Sequence, residues 1–358
     1  MVALALVIAG TGTAFYLHTT MPTQAAASPK PKDIPLNVVA TTPASGTSGV
    51  ASDTTVTVAL TTPLSPLSPL PSLSPAVTGT WGQASPTELV FSAAGPLVPG
   101  STETLTVPGG PTGLEGAEGQ RLAATVTTTF TVAPGSTIRL QQLLAELGYL
   151  PVTFTPTTSP TSPQELADPQ AGSFSWRWSG IPGALTSLWT EGSNNVITRG
   201  AVMAFEEQNG LTTDGLAGPQ VWTDLLAAAQ AGTADPQPYD YVYVSKTLPE
   251  TATVYRNGAV AYSTLANTGV AGAPTADGTF PVYLRYVVTT MSGTNPDGSK
   301  YVDPGIPWVS YFNGGDALHG FVRGSYGYPQ SDGCVEMPPA NAAVVYPLTP
   351  IGTLVTVA

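Results

Sequence analysis

Cysteine is almost absent from this chain: Cys334 is the only one in 358 residues, and histidine occurs twice, as His18 and His319. One thiol cannot close an intramolecular disulfide, so no covalent staple of that kind supports the fold. One cysteine and two distant histidines furnish no zinc ligand set, and neither a metal nor any other cofactor is implied. Charge is scarce as well, at 9% of residues, and 11 basic against 23 acidic side chains leave a formal charge of -12. That balance argues against a nucleic-acid partner, whose phosphates require cations. Turn formers are abundant instead, with 38 Gly and 36 Pro beside 42% hydrophobic residues. Disorder usually combines low hydrophobicity with high net charge, so this composition points to an extracellular, mainly β chain of two or three domains.

Residues 1–29 read as a signal peptide or an N-terminal anchor. Val2 to Leu17 is nearly continuous in apolar or small residues and is followed by Ala25-Ala26-Ala27, an A-x-A cleavage pattern. The run is about sixteen residues, shorter than the roughly 20 that a spanning helix needs. This segment is the one membrane attachment expected, in a protein exported to the cell wall or the outer face of the membrane. No cysteine stands at the processing site, which excludes a lipidated lipoprotein.

After the Lys30-Pro-Lys32 junction, residues 30–134 carry period-2 stretches broken by Gly and Pro: Thr54–Leu60, Glu88–Phe91, Glu103–Val107 and Ala124–Val132. The proline-dense Pro63–Pro75 is expected as an exposed loop, because proline removes N–H donors. With Val98-Pro-Gly-Ser-Thr as a weak signature, the segment resembles the immunoglobulin-like domains of bacterial surface proteins, which implies a spacer. At Ser136 the period changes. Ile138, Leu140, Leu143, Leu144 and Leu147 share one helix face that ends at Gly148. Ile138–Tyr149, Thr198–Leu211 and Asp214–Leu225 together resemble the small peptidoglycan-binding helical domain of wall enzymes, here residues 135–232 with an insertion at 151–195. Phe174, Trp176, Trp178 and Trp189 in that insertion either pack it onto the three-helix bundle or stack on sugar rings.

Thr233–Pro238 reads as a linker, and residues 239–358 as a further mainly-β domain. Its strand candidates are Tyr239–Ser245, Ala252–Arg256, Val260–Tyr262, Phe280–Arg285 and Thr353–Val357, and Asn257-Gly258 predicts a type I′ hairpin. Asn295–Asp303 has the look of a calcium loop but lacks the spacing and distal Glu, so it is read as a turn.

The rare cysteine and histidine fall together in Asp316–Met337. A lone cysteine is more often a small buried hydrophobe. Here, however, Ser331-Asp332-Gly333-Cys334 forms a tight turn beside the one near-neutral base, which is what an activated thiol requires. Residue order narrows the options, since papain-like plans need a histidine after the cysteine and sortases an arginine, and Val335–Ala358 holds no His, Arg or Lys. A His-before-Cys enzyme with backbone oxyanion donors is left.

Pro274–Phe280, His319-Gly320, Ser331-x-Gly333-Cys334-Val335 and the trailing Gly352–Val357 resemble the L,D-transpeptidase, or YkuD-like, catalytic domain. That resemblance implies a cell-wall acyltransferase in which His319 generates the Cys334 thiolate. The thiolate attacks the third residue of a tetrapeptide stem, and a neighbouring stem amine resolves the thioester to a 3-3 cross-link. It further implies that the Gly320 carbonyl orients His319, that the Gly333 and Cys334 amides form the oxyanion hole, and that carbapenems acylate Cys334. Ser331 is expected to hydrogen-bond within the site or to stabilise its turn, and Tyr311 and Tyr326 to line the groove for peptidoglycan stem peptides and glycan. Where the family often has His or Lys, and Arg or Asn, this chain has Asp332 and Glu336, whose negative charge would raise the thiol pKa. Hydrolysis of the thioester, giving an L,D-carboxypeptidase, and a silenced wall-binding protein are the other readings.

Overall fold

The computed structural model describes residues 34–158 and 160–358, so the expected export segment and the Lys30–Lys32 junction lie outside the described residues. The first strands form two four-stranded sheets. One orders β1 (Val38–Thr42), β3 (Val56–Leu60), β6 (Glu88–Ala93) and β5 (Gly79–Ser85), the other β2 (Ser48–Val50), β8 (Val126–Val132), β7 (Thr102–Val107) and β4 (Ser72–Ser74). Alternation builds the shared core: Val56, Val58 and Leu60 are buried, as are Leu105, Val107, Phe130 and Val132. The four strands with clear alternation were legible, whereas β5, with sequence GTWGQAS, carries no apolar period. Pro63–Pro75 is not wholly a loop. Leu67 is 94% exposed, but Ser72–Ser74 pairs with Thr104–Thr106, because only three residues between prolines are needed to supply that ladder.

The three helices follow their caps. α1 (Thr137–Glu146) starts where Ser136 Oγ accepts the Arg139 N–H and stops before Gly148 at φ 90°. The insertion forms a hairpin of β9 (Val152–Pro156) and β10 (Gly172–Trp176) and the short α2 (Gly183–Thr186). Its aromatics pack: Phe174 lies 5.1 Å from Phe154 and 5.3 Å from Trp189, against the bundle core. α3 (Val196–Gln208) is capped by Asn195, and α4 (Pro219–Ala231) opens on proline and closes at Gly232 with φ 64°.

Residues beyond 238 form two further sheets. In the first, β11 (Asp240–Ser245) lies between β12 (Thr251–Arg256) and β19 (Leu354–Val357), with β13 (Ala259–Leu265) and β14 (Gly278–Pro281) at the edges. Asn257 and Gly258 have φ of 51° and 76°, the positive values of the expected hairpin turn. The second sheet orders β15 (Leu284–Thr294), β16 (Lys300–Asn313), β17 (Asp316–Gly320) and β18 (Val335–Met337), with α5 (Pro339–Val345) packed on β17.

The single strand expected at Phe280–Arg285 is split between the sheets. Val282 N–H donates to Thr353 in one, and Tyr283 N–H donates to Tyr311 in the other. Of the calcium-like stretch, Asn295–Ser299 is a turn at the tip of the β15–β16 hairpin, where Asp297 Oδ1 accepts from Ser299 N–H at 2.9 Å, and Lys300–Asp303 already belong to β16. Tyr241 and Leu354 of the first sheet share the helical core. Thr233–Pro238 is also fastened down, since Asp235 N–H donates to Leu147 O at 2.7 Å. No helix among the described residues is long and apolar enough to cross a membrane.

Candidate active site

β17 and β18 run parallel with Leu318 beside Val335 and His319 beside Glu336. Register partners in a parallel pair point to one side, and residues two apart share that side. Leu318 and Val335 therefore enter the core, and His319 and Cys334 emerge together on the other face. Cys334 sits opposite Ala317, and its Sγ donates to Gly315 O at 3.6 Å. Two residues along one strand and one strand across put the Cys334 and His319 Cα atoms about 8 Å apart. Both side chains line one cavity of about 320 Å³.

His319 is 3% exposed. Its Nδ1 lies 3.1 Å from the Gly320 carbonyl oxygen, an acceptor only, so Nδ1 holds the proton and Nε2 presents its lone pair. Burial lowers the His319 pKa and favours the neutral ring. Gly320 is obligatory, because a Cβ there would lie 2.9 Å from Pro339 Cα. Burial pushes the Cys334 thiol up to about 12, against the Ala317 N–H, with Asp316, Glu336 and Asp332 adding to the rise. Both shifts favour a neutral thiol and a neutral imidazole at rest.

Ser331 is buried and holds the nucleophile turn: its Oγ donates to Cys334 O at 2.5 Å and accepts from Gly333 N–H at 3.3 Å. The Gly333 amide, expected as a free oxyanion donor, is thus engaged with Ser331. The Cys334 amide has no acceptor among the described residues. Gly333 has φ 114°, and a Cβ on it would lie 2.7 Å from Asp316 Oδ1, so only glycine fits this turn. Beneath the turn, Thr268 O accepts from Ser331 N–H, while Glu250 holds Thr268 through its amide at 2.7 Å and its hydroxyl at 2.8 Å. Thr275, inside the Pro274–Phe280 motif, donates to Cys334 O at 3.5 Å.

Glu336 raises the thiol pKa as expected, but its charge is paired. Arg323 binds it through Nε and a terminal nitrogen, both at 2.7 Å, with Glu336 buried to 6% side-chain exposure. Asp332 is exposed at the cavity rim. Tyr311 pairs with Ala317, which places it beside Cys334 but not in the cavity lining. Tyr326 does not line the cavity either; its hydroxyl donates to Phe321 O at 2.6 Å and accepts from Arg323 N–H, which ties the 321–326 loop.

The residues missed from the sequence are Met291, Asn295, Tyr301 and Asp303 on the hairpin, and Arg323. The hairpin arms gave no signal because both strand faces mix polar with apolar residues, as in Val287, Val288 and Val302, which remain exposed. Arg323 was visible as the one cation in Asp316–Met337, with Glu336 in the same segment. The hairpin tip rests on the neighbouring loop, where a Cβ on Gly272 would lie 2.9 Å from Pro296. Among the described residues no cluster of three or more His, Cys, Asp or Glu side chains could hold a metal ion.

Residues 239–357 match the family model of the L,D-transpeptidase catalytic domain (YkuD), and residues 32–132 that of a bacterial Ig-like domain. Similar solved structures include an L,D-transpeptidase from Mycobacterium smegmatis, 15% identical over 91% of this chain and 100% of that one, with a TM-score of 0.31. The catalytic domain of the E. faecium L,D-transpeptidase acylated by ertapenem is 26% identical over 35% of this chain and 100% of that one, with a TM-score of 0.31. L,D-transpeptidase 3 from Mycobacterium tuberculosis, in complex with a faropenem-derived adduct, is 13% identical over 89% of this chain and 97% of that one, also at 0.31. No curated protein matches the chain.

Proposed function

We propose that this protein, which carries an L,D-transpeptidase catalytic domain over residues 239–357 behind a bacterial Ig-like domain, forms 3-3 cross-links in peptidoglycan through a thioester on Cys334. The observation that carries the reading is the diagonal register of His319 and Cys334 on one face of β17 and β18, with His319 Nδ1 anchored on Gly320 O. As Cys334 Sγ bonds to the carbonyl carbon of the third stem residue, its proton passes to His319 Nε2. The Cys334 N–H, joined by Gly333 once it leaves Ser331, faces the developing oxyanion. The C–N bond to the terminal D-alanine breaks, and the leaving amine takes the proton from His319. An amine of a second stem then attacks the thioester and gives its proton to His319, which returns it to the departing sulfur.

The Ig-like sandwich serves as a spacer, and residues 135–232 serve to hold the enzyme on the wall. Incubation with a carbapenem should add one adduct to intact protein, lost in Cys334→Ala; an adduct that persists in the variant refutes the assignment. Incubation with tetrapeptide muropeptides should yield dimers, and tripeptide without dimers would instead make the protein a carboxypeptidase.

A further inference from the structure

The cavity around Cys334 is walled by three carboxylates, Asp303, Asp332 and Glu336, and by one cation, Arg323. Arg323 is already committed. Both of its arms hold Glu336, its terminal nitrogen also reaches Gln330 O at 3.3 Å, and its guanidinium lies 4.6 Å over the Phe321 ring. Asp303 and Asp332 take part in none of the ion pairs among the described residues. Asp303 comes from the hairpin strand β16 and Asp332 from the nucleophile turn, two residues before Cys334. Lys300, the nearest cation along β16, is turned to Thr294 on the opposite arm of the hairpin.

From this geometry we infer that Asp303 and Asp332 set the substrate class: the cavity selects an acyl donor whose third-residue side chain ends in an ammonium group and carries no free carboxylate. The inference rests on the proposed function, because it is the attack of Cys334 on the third-residue carbonyl that brings that residue's side chain into this cavity. The side chain branches from the carbon next to the reacting carbonyl, so its terminal group must lie among these walls. An ammonium there meets two unpaired carboxylates. A carboxylate there meets the same two, with the one guanidinium occupied, and is repelled.

The test uses the full chain, one small amine acceptor and three tetrapeptide donors that differ only at the third residue. That residue is lysine, diaminopimelate with its free side-chain carboxylate, or diaminopimelate with that carboxylate amidated. D-Alanine release gives kcat/KM for each. The lysine and amidated donors should exceed the free-carboxylate donor by about tenfold, or ~1.4 kcal/mol. The gap should shrink as salt rises. In Asp303→Asn/Asp332→Asn it should collapse toward unity, chiefly through KM, while the melting temperature is retained. Amidation restores activity if charge decides; if the amidated donor stays as poor as the free carboxylate, size decides and the inference falls. A ratio near one in the wild-type chain, or a ratio unchanged in the double variant, also overturns it and leaves the proposed function standing. Turnover of none of the donors refutes the proposed function and the inference with it.

Discussion

The state of the thiol at rest can be tested without substrate, because Cys334 is the only cysteine and mass spectrometry of the intact chain reads its alkylation directly. An ordinary cysteine has a pKa of about 8.5 and is a few per cent thiolate at pH 7. Burial and the carboxylates of Asp316, Glu336 and Asp332 hold Cys334 at about 12. The thiolate fraction at pH 7 should then be lower by roughly three orders of magnitude, of which the greater nucleophilicity of a more basic thiolate returns one to two. Iodoacetamide should therefore alkylate the native protein at pH 7 on the order of a hundredfold more slowly than the urea-unfolded chain.

Restricted access alone would also slow the reaction, so the pH dependence decides. A thiol that must ionise on its own gives a rate rising about tenfold per pH unit with no plateau up to pH ~11. A preformed thiolate–imidazolium pair would give a rate flat between pH 5 and 9, and that result would refute the neutral dyad. Acyl transfer itself should behave differently, since it needs only the base form of His319. Burial lowers the His319 pKa from 6.5, so the base form predominates at pH 6.5 and above, and activity should be lost only as pH falls through the depressed value.

Arg323→Met leaves Glu336 buried and unpaired and should destabilise the fold by about 3 kcal/mol, whereas Glu336→Gln leaves a partly exposed guanidinium and should cost about 1 kcal/mol; equal losses in thermal denaturation would contradict the pairing. Arg323→Met should also move the acid limb of acyl transfer to higher pH, because Glu336 beside His319 then favours the imidazolium without an opposing guanidinium. Gly333→Ala should abolish carbapenem acylation while circular dichroism stays native, since the added methyl meets Asp316 in a turn with positive φ. Glu206, buried beneath the Gly215 amide, has its pKa raised from 4.5 to about 7, so its contribution is full below pH 4.5 and is lost as pH rises to 7. Glu206→Gln should accordingly be more stable than wild type at pH 8 by roughly 2 kcal/mol, and a lower melting temperature there would refute the assignment.

How much of the site was legible follows from what holds each part of it. Cys334, His319 and Gly320 lie within one short segment, so residue type and order alone brought them forward as candidates. The supports do not behave that way. Glu250 steadies the nucleophile turn through Thr268, and Thr275 reaches Cys334 O from a loop 59 residues away, so neither is visible until β12 and β18 are brought to one place. The pairing of charge was hidden for the same reason. Glu336 was seen as a carboxylate near a thiol, although the Arg323 that neutralises it stands only 13 residues earlier, because a count of local charge carries no pairing.

The hairpin of β15 and β16 is the extreme case. Its 11- and 14-residue arms hold each other by backbone bonds that any sequence can make, and its exposed Val287, Val288 and Val302 follow no period a core would impose. Yet that hairpin brings Asp303 into the cavity that Asp332 also lines, a juxtaposition no motif contains. The proposed reaction therefore rests on residues close in the chain, while the selectivity inferred for it rests on two carboxylates that meet only through the fold.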